Sequence, residues 1–277
     1  MKRLAVAIIH GIGSEKEFYS VEFKHRVVEE YVKGDPNNRL EDDLLFHEIY
    51  WGDLVKDDHG ELLEQLDYKK ELTYKDLRNI FVDFIRIGMS YAKSDESGLY
   101  DAIHERIKSS MKKFASHRNV DQDDTPLVIM AHSFGSVIMS DYISHLQNND
   151  SGLSNFEGFK TLAGIISFAS PLSIYSAQSG DFEKPINKVG SQLEEGLKDR
   201  AKWLNFYDKD DVIAYPLKNA NEAYNQMVDE DLEINVGSAA TSWNPACHTG
   251  YWEDKDFIKP VAKYFAEVRA PHDFWKL

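Results

Sequence analysis

Short apolar runs of strand length recur along the chain and alternate with segments of helical periodicity. Helical spacing marks 15–33, 135–147 and 255–268. The strand-length runs are Leu4–Ile9, Leu44–Trp51, Leu127–Met130, Leu162–Ala169, Trp203–Tyr207 and a weaker Leu232–Val236. Because strands that alternate with helices form βαβ units, we predict an α/β fold. It is a mostly parallel central sheet with helices on both faces, a three-layer sandwich.

The 277 residues contain no repeat, low-complexity tract or linker, so we predict a single domain over 1–277. A helical insertion is expected at about 53–125, in which 55–79 is charged and 79–91 is nearly apolar all round. Because helices that are apolar all round are usually buried, we favour a buried or dimer-facing helix at 79–91. The alternative is a helix that roofs an acyl pocket. A polar excursion at about 171–200 is a second candidate lid.

Charge and cysteine content exclude several classes of partner. The net charge of −15 repels phosphate backbones and anionic lipid headgroups, so we expect no nucleic-acid partner. Cys247 is the single cysteine, so no disulfide can form within the chain. The first apolar run is too short for a secretion signal, and no run approaches the ~20 residues of a membrane-spanning helix. We therefore expect a cytoplasmic protein with no integral membrane segment.

The stretch "PLVIMAHSFGSVIMSDYI" places a serine where a strand passes into a helix. A nucleophile elbow has this strand–turn–helix context, and its sharp turn requires small residues two positions before and after the serine. Ala131 and Gly135 meet that requirement around Ser133. The alternative is an ordinary N-cap serine. We predict that Ser133 is a nucleophile, and that His132 beside it packs or hydrogen-bonds behind the site.

Acyl transfer needs N–H donors for the developing oxyanion. One donor is predicted to be the backbone N–H of Phe134, at the start of the following helix. The loop "HGIG" after the first strand supplies the second, which we assign to Ile12 N–H, with Gly11 and Gly13 allowing close approach. A phosphate-binding loop is the alternative. However, the loop lacks the Lys-Ser/Thr pair of a P-loop and the full G-x-G-x-x-G spacing of a dinucleotide-binding loop. His10 is predicted to be structural.

A nucleophilic serine needs a base that an acid orients, and at such an elbow the chain order is serine, acid, histidine. His145 lies within the helix after the elbow and His272 lies in the tail. His248 precedes the final helix, where the base should stand, and is our choice.

The acid is expected after the strand "KWLNFY", where "YDKDDVIAYPL" offers Asp208, Asp210 and Asp211. We choose Asp211, which directly precedes an apolar turn, with Asp208 as the alternative. The acidic cluster lacks the ligand spacing of a calcium loop, so no metal is predicted.

These motifs together resemble the α/β-hydrolase superfamily, and most of all small bacterial lipases and esterases of the lidless triacylglycerol-lipase type. "HGIG" is similar to their oxyanion loop and "AHSFG" to their alanine-containing elbow. "FYDKDDVIAY" resembles their acid loop, which ranks Asp211 above Asp208, and "CHTGYW" resembles their base loop. "EIYWGD" is similar to their strand before the first long insertion. The chain is longer than these lipases at 53–125 and 171–200.

From the motifs we predict a serine hydrolase that cleaves small-molecule or lipid-like carboxylic esters, without a cofactor. Ser133, Asp211 and His248 would form its triad. A lipase, thioesterase or acyltransferase on the same triad remains an alternative, as does a non-catalytic binding or scaffold protein. An exposed 79–91 helix could also form a homodimer face.

Overall fold

The computed structural model describes the following residues: 3–13, 16–34, 43–55, 75–91, 98–149, 152–177, 182, 184–237 and 245–270. Strands are β1 (Leu4–Ile9), β2 (Leu44–Ile49), β3 (Leu127–His132), β4 (Leu162–Phe168), β5 (Lys202–Tyr207) and β6 (Glu230–Glu233). The longer helices are α1 (Val21–Gly34), α2 (Lys75–Ser90), α3 (Leu99–Ala115), α4 (Phe134–Asn148) and α8 (Lys255–Arg269). Short helices are α5 (Leu172–Ser176), α6 (Glu195–Lys198) and α7 (Glu222–Met227), with 3₁₀ turns at Gly52–Leu54 and Pro245–Glu253.

The strands form one six-stranded sheet in the order β2-β1-β3-β4-β5-β6, and each neighbouring pair is parallel. The predicted α/β architecture is therefore confirmed. The chain runs outward from β1 to β2 and then returns to β3 on the other side of β1, so the order reverses between β1 and β3. In open parallel sheets, ligands bind outside the carboxyl ends of the strands at such a reversal.

Alternate residues of the central strands bury against different helices, which builds two cores. On β1, Leu4, Val6 and Ile8 face the core beneath α1 and α8. The small Ala5 and Ala7 face the core beneath α3 and α4. All six residues of β1 are buried, as expected for a strand that is covered on both faces.

Several element boundaries differ from the sequence prediction. α1 begins at Val21, six residues later than the helical pattern, and β6 is Glu230–Glu233 instead of 232–236. β6 is a short polar strand that pairs with β5 at the sheet edge, so its residues carry little hydrophobic signal. Much of the charged 55–79 segment and His272 lie outside the described residues. Within 171–200, the short helices α5 and α6 replace part of the predicted loop.

One side of α2 is buried and the opposite side is exposed, although its sequence is apolar on most sides. Ile87 and Tyr91 turn inward and are buried. Phe81, Ile85 and Met89 follow one another at four-residue spacing and are 55%, 46% and 72% exposed. In the single chain, the outer face of α2 is therefore exposed, and the prediction that 79–91 faces a second copy or roofs an acyl pocket stays a prediction. No helix within the described segments is both long enough and apolar enough to cross a bilayer.

A buried ion pair ties the last helix to the start of β2. Arg269 Nη2 lies 2.7 Å from Asp43 Oδ1, and both side chains are about nine-tenths buried. The hydroxyl of Tyr31 on α1 donates to Asp43 Oδ2 at 3.0 Å. One carboxylate thus connects α1, α8 and the sheet.

We predict that Asp43→Ala lowers the free energy of unfolding by roughly 3–5 kcal/mol, because it leaves a buried guanidinium without this counterion. Chemical denaturation followed by circular dichroism measures the change. Lys33→Ala, which removes an exposed pair with Glu30, is the control and should unfold as wild type does. Equal stability of the two variants would contradict this role of the pair.

Candidate active site

Ser133 occupies a strained turn between β3 and α4. Its φ is 51° and its ψ is −129°, a region that residues other than glycine rarely adopt. The turn is held from both sides: Ser133 N–H donates to Phe168 O at 2.9 Å, and Ser136 Oγ donates to Ser133 O at 2.6 Å. This geometry is that of an elbow which presents a side chain at the carboxyl edge of the sheet.

The glycine loop, residues 10–13, lies directly against this elbow. A Cβ on Gly135 would lie 2.5 Å from His10 O, and a Cβ on Gly11 would overlap Ser133 Cβ. Gly13 has a φ of +88°, which also favours glycine. Ala131 pairs in register with Ile9 of β1. Gly11 and Gly135 are thus the small residues that let the glycine loop approach the elbow.

His248 connects Ser133 with Asp211 through hydrogen bonds. Its Nε2 lies 2.8 Å from Ser133 Oγ, and its Nδ1 lies 2.8 Å from Asp211 Oδ2 and 3.1 Å from Asp211 Oδ1. A carboxylate only accepts, so Nδ1 carries the proton and Nε2 is free to accept the Ser133 proton. The structure therefore brings together three side chains that are distant in sequence. All three are buried, and Ser133 is only 1% exposed.

Asp211 and Asp208, the two acids considered from sequence, have different partners. Asp211 Oδ1 also accepts the backbone N–H of Ile213 at 3.0 Å, which fixes the carboxylate at the start of the turn. Asp208 instead accepts backbone N–H groups on both oxygens, from Asp210 at 2.8 Å and Val236 at 2.6 Å. Asp208 therefore holds the loop, whereas Asp211 faces the imidazole.

His10 anchors the glycine loop to the strand beside it. Its Nδ1–H donates to Gly11 O at 2.6 Å, and its Nε2 accepts the backbone N–H of Trp51 at 3.1 Å. The Trp51 indole stacks on the imidazole with centroids 5.0 Å apart, and its Nε1–H donates to His10 O at 3.0 Å. Burial lowers the pKa of His10 to about 4, so the ring stays neutral at pH 7. These contacts hold the glycine loop against Trp51.

His132 is placed behind the serine. Its Nε2–H donates to the backbone oxygen of His248 at 3.1 Å, and its ring packs on Trp252 and Phe168. Burial, with a smaller contribution from nearby His248, lowers the pKa of His132 well below its usual value. His132 therefore supports the backbone that carries His248 and has no contact with Ser133 Oγ that would make it a base.

Ile12 and Phe134 bring two backbone segments to the serine. Ile12 follows the glycine that contacts Ser133, and its side chain is nearly buried. Phe134 is the first residue of α4, and the first N–H groups of a helix have no partner within the helix. The assignment of these two N–H groups as oxyanion donors stays a prediction.

Four aromatic rings surround the buried side chain of Phe134. Their centroids lie 5.4–6.4 Å from its ring. They come from three separate segments and are Trp51, Phe84, Tyr91 and Tyr175. Sequence reasoning did not assign these rings to the site, because nothing local shows that 51, 84–91 and 175 meet.

α2 is held over this aromatic cluster by a polar contact at its carboxyl end. The Tyr91 hydroxyl lies 2.9 Å from His104 Nε2 on α3 and donates to Asp141 Oδ2 on α4 at 3.3 Å. Gly88 of α2 meets α5, because a Cβ there would lie 3.0 Å from the Tyr175 hydroxyl. α2 is therefore fixed above Phe134 by both its ring contacts and its end.

Strand order and the elbow identify the fold. Serine, acid and histidine follow one another along the chain in loops at the carboxyl edge, which is the arrangement of one large class of enzymes. The chain has an α/β-hydrolase fold. His145, which was not chosen as the base, lies in the last turn of α4 and is exposed.

Comparisons with known proteins give distant matches. No protein-family model and no curated protein matches the chain. Among solved structures, a dienelactone hydrolase from Anabaena variabilis is 12% identical, over 95% of this chain and 83% of that one, with a TM-score of 0.42. The esterase domain of a Rhodothermus marinus protein is 11% identical, over 95% and 85%, with a TM-score of 0.35. Because both scores are below 0.5, the α/β-hydrolase assignment rests on topology and local geometry.

We predict that Gly135→Ala destabilises the protein by about 1–3 kcal/mol, because the new methyl group would push the glycine loop away from the elbow. Urea denaturation measures the loss. Gly34→Ala, at the open carboxyl end of α1, is the matched control and should keep or slightly raise stability. Tolerance of both alanines alike would show that the close approach is not required.

Proposed function

We propose that the protein is a serine hydrolase that cleaves carboxylic esters through an acyl-enzyme. Ser133 is the nucleophile, His248 the general base and Asp211 the acid that orients it. The observation that carries the proposal is the continuous hydrogen-bonded path from Ser133 Oγ through His248 to Asp211, at 2.8 Å for each of its two shortest links. A hydroxyl is inert at neutral pH unless a base of this kind takes its proton.

In this mechanism, His248 Nε2 accepts the Ser133 proton as Oγ attacks the ester carbonyl. Asp211 stabilises the imidazolium that forms, and it holds the tautomer in which Nδ1 is protonated. The backbone N–H groups of Phe134 and Ile12 stabilise the oxyanion, each by about 3 kcal/mol. The imidazolium then protonates the leaving alcohol. Water, activated by the same imidazole, attacks the acyl-enzyme and releases the acid and the free serine.

The neighbourhood of Ser133 favours an apolar acyl group. Its flanking residue Phe134 lies among the aromatic rings of Trp51, Phe84, Tyr91 and Tyr175. Ser133 itself is nearly inaccessible, so an ester must displace some of the groups that cover it. Binding beside these rings is most favourable for an apolar acyl group, because its apolar surface is removed from water.

Replacement of the nucleophile tests the reaction class directly. We predict that Ser133→Ala loses turnover of p-nitrophenyl acetate, butyrate and octanoate by roughly 10⁴- to 10⁶-fold in kcat. A fluorophosphonate probe should label wild type at Ser133 and leave the variant unlabelled.

Ser144→Ala, on α4 and eleven residues after Ser133, is the control and should keep both the ester turnover and the probe labelling. Equal turnover by wild type and Ser133→Ala would end the proposal. Absence of labelling in wild type would favour the binding or scaffold alternative. Thioesters and alcohol acceptors, tested in the same assay, separate the thioesterase and acyltransferase alternatives from the esterase.

The outer face of α2 favours a second candidate, a lipase that acts on long-chain esters. Phe81, Ile85 and Met89 form an exposed apolar row on the helix whose inner face packs on Phe134. An apolar surface beside a hydrolase site suits a substrate with long chains. The acidic charge of the chain opposes contact with anionic lipid, so a neutral ester is the appropriate substrate.

For this second candidate we predict that Ile85→Glu/Met89→Glu lowers turnover of long-chain esters by at least tenfold and leaves p-nitrophenyl acetate turnover unchanged. Val32→Glu, on the exposed side of α1, is the control. The lipase candidate fails if the double variant keeps the chain-length profile of wild type. Sedimentation of the same proteins shows whether a second copy covers this face, as the homodimer prediction requires.

A further inference from the structure

The hydroxyl of Tyr251 joins the two loops that carry the proposed acid and base. It accepts the backbone N–H of Asp208 at 2.8 Å and donates to Asp211 Oδ2 at 3.2 Å. The Tyr251 side chain is fully buried. Because the N–H of Asp208 can only donate, the single phenolic proton points at the carboxylate of Asp211.

Asp211 therefore receives hydrogen bonds from three different groups: the imidazole of His248, the backbone N–H of Ile213 and the phenol of Tyr251. Each donor stabilises the ionised carboxylate and restricts its rotation. Burial, and then the adjacent charge of Asp211, raises the pKa of Tyr251 above its ordinary range, so the phenol stays protonated.

Tyr251 and His248 belong to one 3₁₀ helix, Pro245–Glu253, and are three residues apart. Residues at this spacing lie above one another in a 3₁₀ helix. The ring of Tyr251 packs against Phe168 and Phe257, with centroids 6.2 and 6.3 Å away. A single rigid turn thus carries both the imidazole and the group that fixes its carboxylate partner.

We propose that Tyr251 is a positioning residue, which fixes the orientation of the Asp211 carboxylate and, through it, the support that this carboxylate gives to the His248 imidazolium. The inference rests on the proposed function and adds a residue to its machinery. The other titratable groups around the pair come from three elements. They are Asp208 and Asp210 of the loop after β5, His132 of β3 and Cys247 of the 245–253 helix.

Tyr251→Phe removes one oxygen and keeps the ring. With one donor fewer, the Asp211 carboxylate attracts the imidazolium more strongly, which stabilises the protonated form of His248. Deprotonated His248 is the active base, so the acid limb of the pH profile of kcat/KM should move upward, by about half a pH unit or more.

Tyr264→Phe is a matched control elsewhere in the fold. Its hydroxyl is also buried, accepts the N–H of Lys202 at 2.9 Å and donates to Ala163 O at 2.9 Å, at the amino end of the sheet. Loss of this hydroxyl should lower stability as in Tyr251→Phe. It should leave the pH profile and kcat as they are in wild type.

Two measurements separate this inference from the proposed function. The first is the pH profile of p-nitrophenyl butyrate hydrolysis for wild type, Tyr251→Phe and Tyr264→Phe. The second is a titration of the His248 ring by NMR in the same three proteins, which needs no turnover. An upward shift confined to Tyr251→Phe supports the role of Tyr251. An unchanged or lowered His248 titration in Tyr251→Phe overturns it, whereas an inactive wild type with a raised titration overturns only the ester hydrolase.

Discussion

The close approach of the glycine loop and the elbow is the constraint on which the rest of the site depends. At the reversal between β1 and β3, the backbone of His10 leaves no room for a side chain at 135, and Ser133 leaves none at 11. Ser133 itself adopts a conformation that costs about 1–3 kcal/mol. Packing of both cores against β1 and β3 supplies the stability that maintains this strain.

Parallel pairing converts this local constraint into a site. Because neighbouring strands run in the same direction, the loops after β1, β3 and β5 emerge at one edge of the sheet. The helix 245–253 comes after β6 in the sequence and places His248 between Ser133 and Asp211. Register therefore decides the distances, since a shift of one residue would reverse the direction of the side chains at the strand ends.

The sequence predicted the fold class and the meeting of residues 133, 211 and 248, because each has a local signal. Ser133 has a small residue two positions before it and another two positions after it, and the acid loop and His248 follow strands at the correct place in the chain order. The resemblance of the acid loop to that of small lipases ranked Asp211 above Asp208. Contacts without a local signal were missed. The aromatic cluster around Phe134 joins distant segments. The exposure of the outer face of α2 could not be predicted, because composition does not show which side of an apolar helix lacks a neighbour within the chain.

Tyr251 illustrates why the chemistry of the site and the stability of its loops are inseparable. Burial of a carboxylate such as Asp211 lowers the stability of the fold unless hydrogen-bond donors contact its oxygens. Here those donors come from its own turn, at Ile213, and from the 245–253 helix, at His248 and Tyr251. The loop after β5 and the 245–253 helix must consequently order together, since either one alone would leave a buried charge unsatisfied. These hydrogen bonds offset the cost of burying the Asp211 charge. They also orient the carboxylate towards the imidazole of His248.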